Sequence, residues 1–328
     1  MNKTSVFPYR QATTELIACN FCGEREFKTL AHHDRNNLCV QTVMCRRCGL
    51  IFINPRMTKS WYQRYYEEEY REQMARFKGL DRIKQYTVDI QFKKAYQRGL
   101  RLAQFFKDFL CSGLTVEVGS SDGGVLAAFR DNLGVPVLGL DPSPEDTHYA
   151  ESQGVPTFGG MFEDFKETIP PAANIIALRS LNHLLDFSGF LAWSHQYLAP
   201  GGRLVLEVMN FLEVARHYGY RQRAIQIDHV YMFTPRSLRR FVEGSGFRIL
   251  TEGFDRKGHH MYLVAEKDAS RNPLDRSLIT SQWFQEAQAE ITALPNSRLK
   301  YFFRFGLQRY LTIWYYRFRR WCKKLLLG

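Results

Sequence analysis

From Gly113 onward, short apolar runs alternate with segments whose apolar residues recur every three or four positions. That alternation predicts a parallel sheet covered by helices. The strand candidates are Thr115–Val118, Val135–Leu140, Pro156–Phe158, Ile175–Leu178, Arg203–Val208, Phe247–Thr251 and His260–Ala265. Helices are predicted over 123–132, 145–153, 188–198 and 235–243. The last is the best signalled, because Thr234 can cap it, Pro235 suits its first turn, and Gly244 and Gly246 close it. Upstream, Trp61, Tyr65 and Tyr66 form one apolar stripe, and Phe92, Tyr96, Leu100, Phe105 and Phe109 form another. The chain therefore divides into a small unit at 15–56, a helical connector or lid at 57–112, an α/β domain at 113–267 and a tail at 268–328. The tail opens with a polar connector and a helical stretch near 281–293.

Composition changes this picture little, and charge changes it at one end. Of 328 residues, 45% are hydrophobic and 24% charged, which is ordinary for a globular protein. No apolar run approaches the roughly 18–20 residues of a membrane-spanning helix, and the N-terminus lacks the apolar stretch of a signal peptide. The expected location is the cytoplasm. The net charge of +12 is concentrated: from Asn296 on there are nine Lys or Arg and no acid, leaving +3 for the rest. Nucleic-acid binding by the main body thus has little support. In residues 298–327 the cations alternate with Phe, Tyr, Trp and Leu. An amphipathic helix of that kind suits an anionic membrane surface, which implies peripheral attachment at the membrane's inner face. The alternative is a terminal helix that docks its aromatic face on the domain.

The chemistry begins after the first strand of the domain, at Glu117-Val-Gly119-Ser120-Ser121-Asp122-Gly123. Glycine lets a turn approach a ligand closely, and the following helix start offers free amides to an anionic group. The second strand leads to Asp141, twenty-two residues after Gly119, where an acid can accept hydrogen bonds from ribose hydroxyls. Nicotinamide-binding enzymes share both features, so an oxidoreductase acting on sugars is a rival reading. Their fingerprint needs a second glycine where this chain has Ser121, which fits methionine better than pyrophosphate.

In order and character of motifs, residues 115–267 resemble the class I S-adenosylmethionine-dependent methyltransferases. The matching pieces are VEVGSSDGG, GLDPS, FGGMFEDF, LRSLNHLL and LAPGGRLVLEV. The resemblance implies a Rossmann-like seven-stranded sheet ending in an antiparallel hairpin. It implies a cofactor site drawn from Glu117, Gly119, Ser120, Asp122 and Gly123, with Gly119 and Asp122 at the methionine end. Asp141 would lie at the ribose, Met161 and Phe162 would flank the adenine, and Arg179 and Ser180 would lie beneath the transferring methyl.

Seven cysteines are present, and four form the pairs Cys19-x-x-Cys22 and Cys45-x-x-Cys48, each followed by glycine. Two such pairs supply four thiolates for a closed, structural Zn²⁺ site. His32, His33 and Cys39, between the pairs, are spare donors read as surface or packing residues. The run C-x-x-C-G-L-I-F-x-N-P is similar to a methyltransferase group of sugar and surface-glycan modification, including the zinc-containing sugar C-methyltransferases. That resemblance implies a small-molecule or lipid-linked sugar acceptor. It also makes His229 a candidate base in Asp228-His229-Val-Tyr231, with Asp228 its neighbour and Tyr231 shaping the pocket. His183 is the second choice of base, and His259 and His260 are read as pocket-wall or structural residues. Two departures stand out. Gln226 replaces the group's tyrosine, and about sixty residues follow Lys267, too few for the extra large domain of the C-methyltransferases. Both O- and C-methylation therefore remain open, as does a noncatalytic zinc-ribbon scaffold.

Overall fold

The computed structural model describes residues 8–70, 87–165, 169–219, 221–268, 270, 273–276, 279–297, 299 and 302–303. Thirteen strands occur among them. Five precede the α/β domain: β1 (Thr14–Glu15), β2 (Phe27–Ala31), β3 (Thr42–Cys45), β4 (Ile51–Ile53) and β5 (Arg56–Met57). Then follow β6 (Thr115–Val118), β7 (Val137–Asp141), β8 (Thr157–Gly159), β9 (Ala172–Leu178) and β10 (Leu198–Met209). The last three are β11 (Tyr231–Met232), β12 (Phe247–Phe254) and β13 (His260–Lys267).

Seven strands form the main sheet in the order β12-β13-β10-β9-β6-β7-β8. The β6, β7, β8, β9 and β10 pairings are parallel, and β13 runs antiparallel to both β10 and β12. This is the predicted α/β class. Neighbouring residues of β9 serve opposite layers: Ile175 and Ala177 join one buried cluster, Ile176 and Leu178 the other. That is the period of two expected of a strand covered on both faces.

The helices Gly124–Leu133, Pro144–Ser152, Phe187–Tyr197 and Pro235–Glu243 match the predicted ones within a residue or so at each end. Thr234 and Ser237 cap the last reciprocally, with Thr234 Oγ1 accepting from Ser237 N (3.2 Å) and Ser237 Oγ from Thr234 N (2.9 Å). The long helix Val88–Phe106 lies against Gly124–Leu133, and glycine on both sides sets the spacing. A Cβ on Gly99 would stand 2.7 Å from that of Ala128, and one on Gly124 2.7 Å from that of Ala95.

The cysteine-rich unit reads as independent in sequence, but the fold ties it to the domain. Its sheet runs β11-β4-β3-β2, so Tyr231–Met232, nearly two hundred residues downstream, pair with Ile51–Phe52. Its buried Phe21, Val43, Met44 and Phe52 belong to the same apolar cluster as Leu204 and Leu206 of β10. The helix Gln282–Thr292 also packs on the unit, where a Cβ on Gly49 would meet that of Ala287 at 2.6 Å. Among the described residues, no helix is long and apolar enough to cross a membrane. The basic aromatic stretch 298–327 lies outside the described residues apart from Leu299, Phe302 and Phe303, which are exposed.

Candidate active site

The sheet order reverses between β6 and β9, and ligand crevices in such sheets open beyond the strand ends at that point. Two loops face each other there. Gly119, after β6, holds φ 80°, and a Cβ on it would stand 2.3 Å from that of Ser180, after β9. Ser180 Oγ in turn donates to the carbonyl of Val118. Ser121 (φ 49°) and Arg179 (φ 71°) hold left-handed conformations that non-glycine residues seldom adopt, a mark of functional loops. At the end of β7, Asp141 accepts from the backbone N–H of Ser121 (2.8 Å) and of Ser143 (2.9 Å). Burial pushes its carboxyl up to about 7.

Of the ten residues predicted to bind a cofactor, Gly119, Asp141, Met161, Phe162, Arg179 and Ser180 line this crevice. The other four do not, and their local burial and packing explain why. Glu117 is buried in β6, where burial raises its carboxyl to about 8 and Oε2 has no hydrogen-bond partner among the described residues. Ser120 turns its hydroxyl toward Gly139, where a Cβ would lie 2.6 Å from it. Asp122 Oδ1 accepts from Gly124 N (3.0 Å) at the start of the following helix, and Gly123 packs on Ala150. These four shape the loop from behind. Ser121 and Glu163, which lie within the quoted motifs without an implied ligand role, also line the crevice, as do Tyr66 and Tyr70, which no motif contains.

A second cavity, of about 360 Å³, shares Tyr70, Arg179 and His183 with the crevice. Asp228, His229, His259 and His260 line it too. Asn182 explains how His183 and His229 come together. It is fully buried, its Nδ2 donates to Tyr231 O (2.9 Å), and its carbonyl accepts from Tyr231 N (3.2 Å). The loop after β9 is thereby stitched to the segment before β11. The two imidazoles meet edge to face, with centroids 4.7 Å apart. Tyr66 Oη lies 3.1 Å from His183 Nδ1, and Asp228 Oδ2 lies 3.9 Å from that nitrogen.

Burial, reinforced by His183, pushes the His229 imidazole down to about 3, and burial lowers His183 as well. Against its own burial, Asp228 is held below the ordinary carboxylate range by His229, His183 and Arg35. The site at neutral pH is thus two neutral imidazoles beside one carboxylate. His229 Nδ1 has no hydrogen-bond partner among the described residues.

Tyr231 is a correction. Its side chain is fully buried, its hydroxyl donates to Leu185 O (2.8 Å), and its ring packs on Phe187. It lines neither cavity. Glu207, near the end of β10, receives both Arg98 and Arg179 (Nε, 2.7 Å). Despite burial, the two guanidiniums hold Glu207 below its ordinary range.

The sulfurs of Cys19, Cys22, Cys45 and Cys48 all lie within 4.8 Å of one another, with Cys19–Cys48 at 3.4 Å and Cys22–Cys45 at 3.5 Å. A tetrahedral zinc with sulfurs at about 2.3 Å has S–S edges of about 3.8 Å, so the donor set fits that ion. Gly23 (φ 76°) and Gly49 (φ 75°) supply the left-handed residue that closes each knuckle, and Cys45 Sγ accepts from Arg47 N (3.4 Å) and Cys48 N (3.5 Å). His32, His33 and Cys39 lie outside this set.

The sheet order, the crevice at its reversal and the strand-end acid define an α/β domain of the S-adenosylmethionine-dependent methyltransferase type. The chain belongs to the family described as "Methyltransferase domain", which matches residues 62–252. Among solved structures it is similar to magnesium protoporphyrin IX methyltransferase from Synechocystis PCC 6803. That chain is 15% identical, with 64% of this chain and 100% of that one covered and a TM-score of 0.47. It is also similar to the CcbJ methyltransferase from Streptomyces caelestis, at 15% identity, 52% and 90% coverage and a TM-score of 0.45. No curated protein matches the chain.

Proposed function

We propose that the protein transfers a methyl group from S-adenosylmethionine to a sugar or glycan, on oxygen or carbon, with His229 accepting the acceptor's proton. The observation that carries this reading is the junction of the two cavities at Arg179 and His183, with His229 beside it. The crevice suits a nucleoside, since Asp141 can accept from a diol and Met161 with Phe162 offers an apolar wall to a base. S-adenosylmethionine supplies the methyl as a sulfonium electrophile. The protein's part is to align the acceptor, exclude water and take its proton. Methylation of a hydroxyl forms an O–C bond and breaks the C–S bond while the O–H proton passes to the imidazole. Asp228 favours the resulting imidazolium by its charge.

The sugar or glycan acceptor rests on the likeness of the CxxC…CxxCGLIFxNP run to glycan-modifying methyltransferases. By the same reading, Cys19, Cys22, Cys45 and Cys48 hold a structural zinc, and residues 298–327 rest on an anionic membrane surface. Calorimetry with S-adenosylmethionine, S-adenosylhomocysteine and NAD tests the cofactor. Binding of the first two alone is expected, NAD binding would favour the oxidoreductase, and no binding the scaffold. Mass spectrometry of glycans from cells with and without the gene then identifies the acceptor by a difference of one methyl group.

A further inference from the structure

His260 reaches the second cavity from an element that carries neither His183 nor His229, the antiparallel hairpin of β12 and β13. It stands near enough to His229 that a proton on it would lower that imidazole further. Arg179, which lines both cavities, and Glu207 act on His260 in turn. The ring therefore belongs to the part of the wall near the junction of the two cavities.

One oxygen of Asp255 closes the hairpin tip. Its Oδ1 accepts from His259 N (2.8 Å) and Lys257 N (3.2 Å), and the backbone adds Gly258 N to Asp255 O (2.8 Å) and Asp255 N to His260 O (2.9 Å). Asn210, just after β10, ties the tip down, its N–H donating to His259 O (2.9 Å) and its Nδ2 to Gly258 O (3.1 Å). The turn needs nothing from Asp255 Oδ2, which lies 3.2 Å from His260 Nδ1. Against partial burial, His260 and the hairpin amides hold Asp255 below the ordinary carboxylate range, so Oδ2 accepts and Nδ1 carries the proton. Burial, with Arg179, keeps the His260 imidazole below its ordinary value, although Asp255 and Glu207 pull the other way. A neutral ring protonated on Nδ1 has its lone pair on Nε2. That nitrogen has no hydrogen-bond partner among the described residues.

We propose that His260, oriented by Asp255, accepts a hydrogen bond through Nε2 from a hydroxyl of the acceptor other than the one that gives its proton to His229. The inference rests on the reading of this cavity as the acceptor site, and it narrows the acceptor to a polyol with two free hydroxyls in one pocket. A site built to accept from a hydroxyl rejects an analogue that lacks it, because the nitrogen is then left unpaired and out of water. Asp255 acts through His260 and is a positioning residue. Without its carboxylate the ring is free to carry its proton on Nε2, and the wall then offers a donor where the hydroxyl needs an acceptor.

The test is NMR of the histidine rings in the full chain, with and without S-adenosylhomocysteine, with methyl α-D-glucopyranoside and its tetra-O-methyl ether as probes. The ether keeps the sugar ring and has no hydroxyl. Before any sugar is added, His260 should show the Nδ1–H tautomer. In Asp255→Asn it should show the Nε2–H form, because the amide oxygen still serves the hairpin while the amide nitrogen turns a donor toward Nδ1. The glucoside should shift the His260 and His229 resonances, and the ether should leave His260 unmoved. His260→Phe and Asp255→Asn should each weaken glucoside binding by about fivefold or more. His260→Gln, whose carbonyl can stand near the place of Nε2, should keep most of it. Tm should stay near that of the wild type in Asp255→Asn, which separates positioning from support of the fold and keeps the test decisive if His260→Phe fails to fold. Shifts at His229 without any at His260, equal binding of the two probes, or binding indifferent to both substitutions overturns the proposal. Silence at both histidines overturns it together with the reading of the cavity as a sugar site. Failure to bind S-adenosylhomocysteine would instead count against the methyltransferase reading, since the sugar titrations stand without it.

Discussion

His229 presents its ring edge-on to His183, with the planes at 83°, in a pocket that keeps both imidazoles neutral. A base in that state has its lone pair available across the working pH range, and its protonated form depends on Asp228 for stabilisation. His229→Ala and Asp228→Asn should each lower kcat by about 10²-fold or more while leaving S-adenosylhomocysteine affinity unchanged. Steady-state kinetics paired with calorimetry checks both arms.

The same burial fixes the acid limb of the pH profile. With the imidazole pushed down to about 3, protonation of His229 should not reduce kcat/KM between pH 8 and pH 5. An acid limb within that range, present in the wild type and absent from His183→Ala, would transfer the base to His183.

Asp141 should impose its own pH dependence on cofactor binding. Its carboxyl is raised to about 7, so the ionised form that accepts two hydroxyl donors is present above that pH and lost below it. Calorimetry should show S-adenosylhomocysteine binding weaken between pH 8.5 and pH 5.5. In Asp141→Asn, binding should be about tenfold weaker at pH 8.5 and nearly flat with pH.

Glu117 makes a prediction about stability. Its folded carboxyl is raised to about 8 from an ordinary 4.5, so its favourable state is fully present below 4.5 and lost as pH rises through 8. Glu117→Gln, which cannot ionise, should melt close to the wild type at pH 5 and several degrees above it at pH 9. Scanning calorimetry at pH 5, 7 and 9 measures the trend, and a constant difference would contradict it.

Removal of metal should reach the active site. Metal analysis should find one zinc per chain, lost in Cys45→Ser. Chelation should lower Tm by roughly 10 °C, from a loss of a few kcal/mol. It should reduce turnover as well, because β4 of the cysteine-rich unit pairs with the strand that begins two residues after His229.

Features carried by local pattern were legible in the sequence, and features set by distant contact were not. The Thr234-Pro235 cap and the Gly119 turn are local, and the structure bears out the helix start and the turn. The likeness of Asp228-His229-Val-Tyr231 to the sugar methyltransferases implies a pocket position for Tyr231, which the fold does not give it. Its pairing with Ile51–Phe52 buries it together with Met232, and no local pattern announces that distant pairing. Ser120 and Asp122 sit in a ligand-binding loop, but their side chains answer Gly139 and Gly124 on the loop's far side. Arg35, Tyr66 and Tyr70 carry no motif, and they reach the cavities only because the N-terminal third folds back over the sheet.

Strand β11 also orders events during synthesis. The four-stranded sheet around the knuckles can be started by its first fifty residues, but its last edge is not made until residue 232 has left the ribosome. Such a distant pairing is slow to form, and until it does, β4 presents an open edge to other chains. A zinc ion bound early by the four cysteines would hold that unfinished sheet together while the rest of the enzyme is still being made.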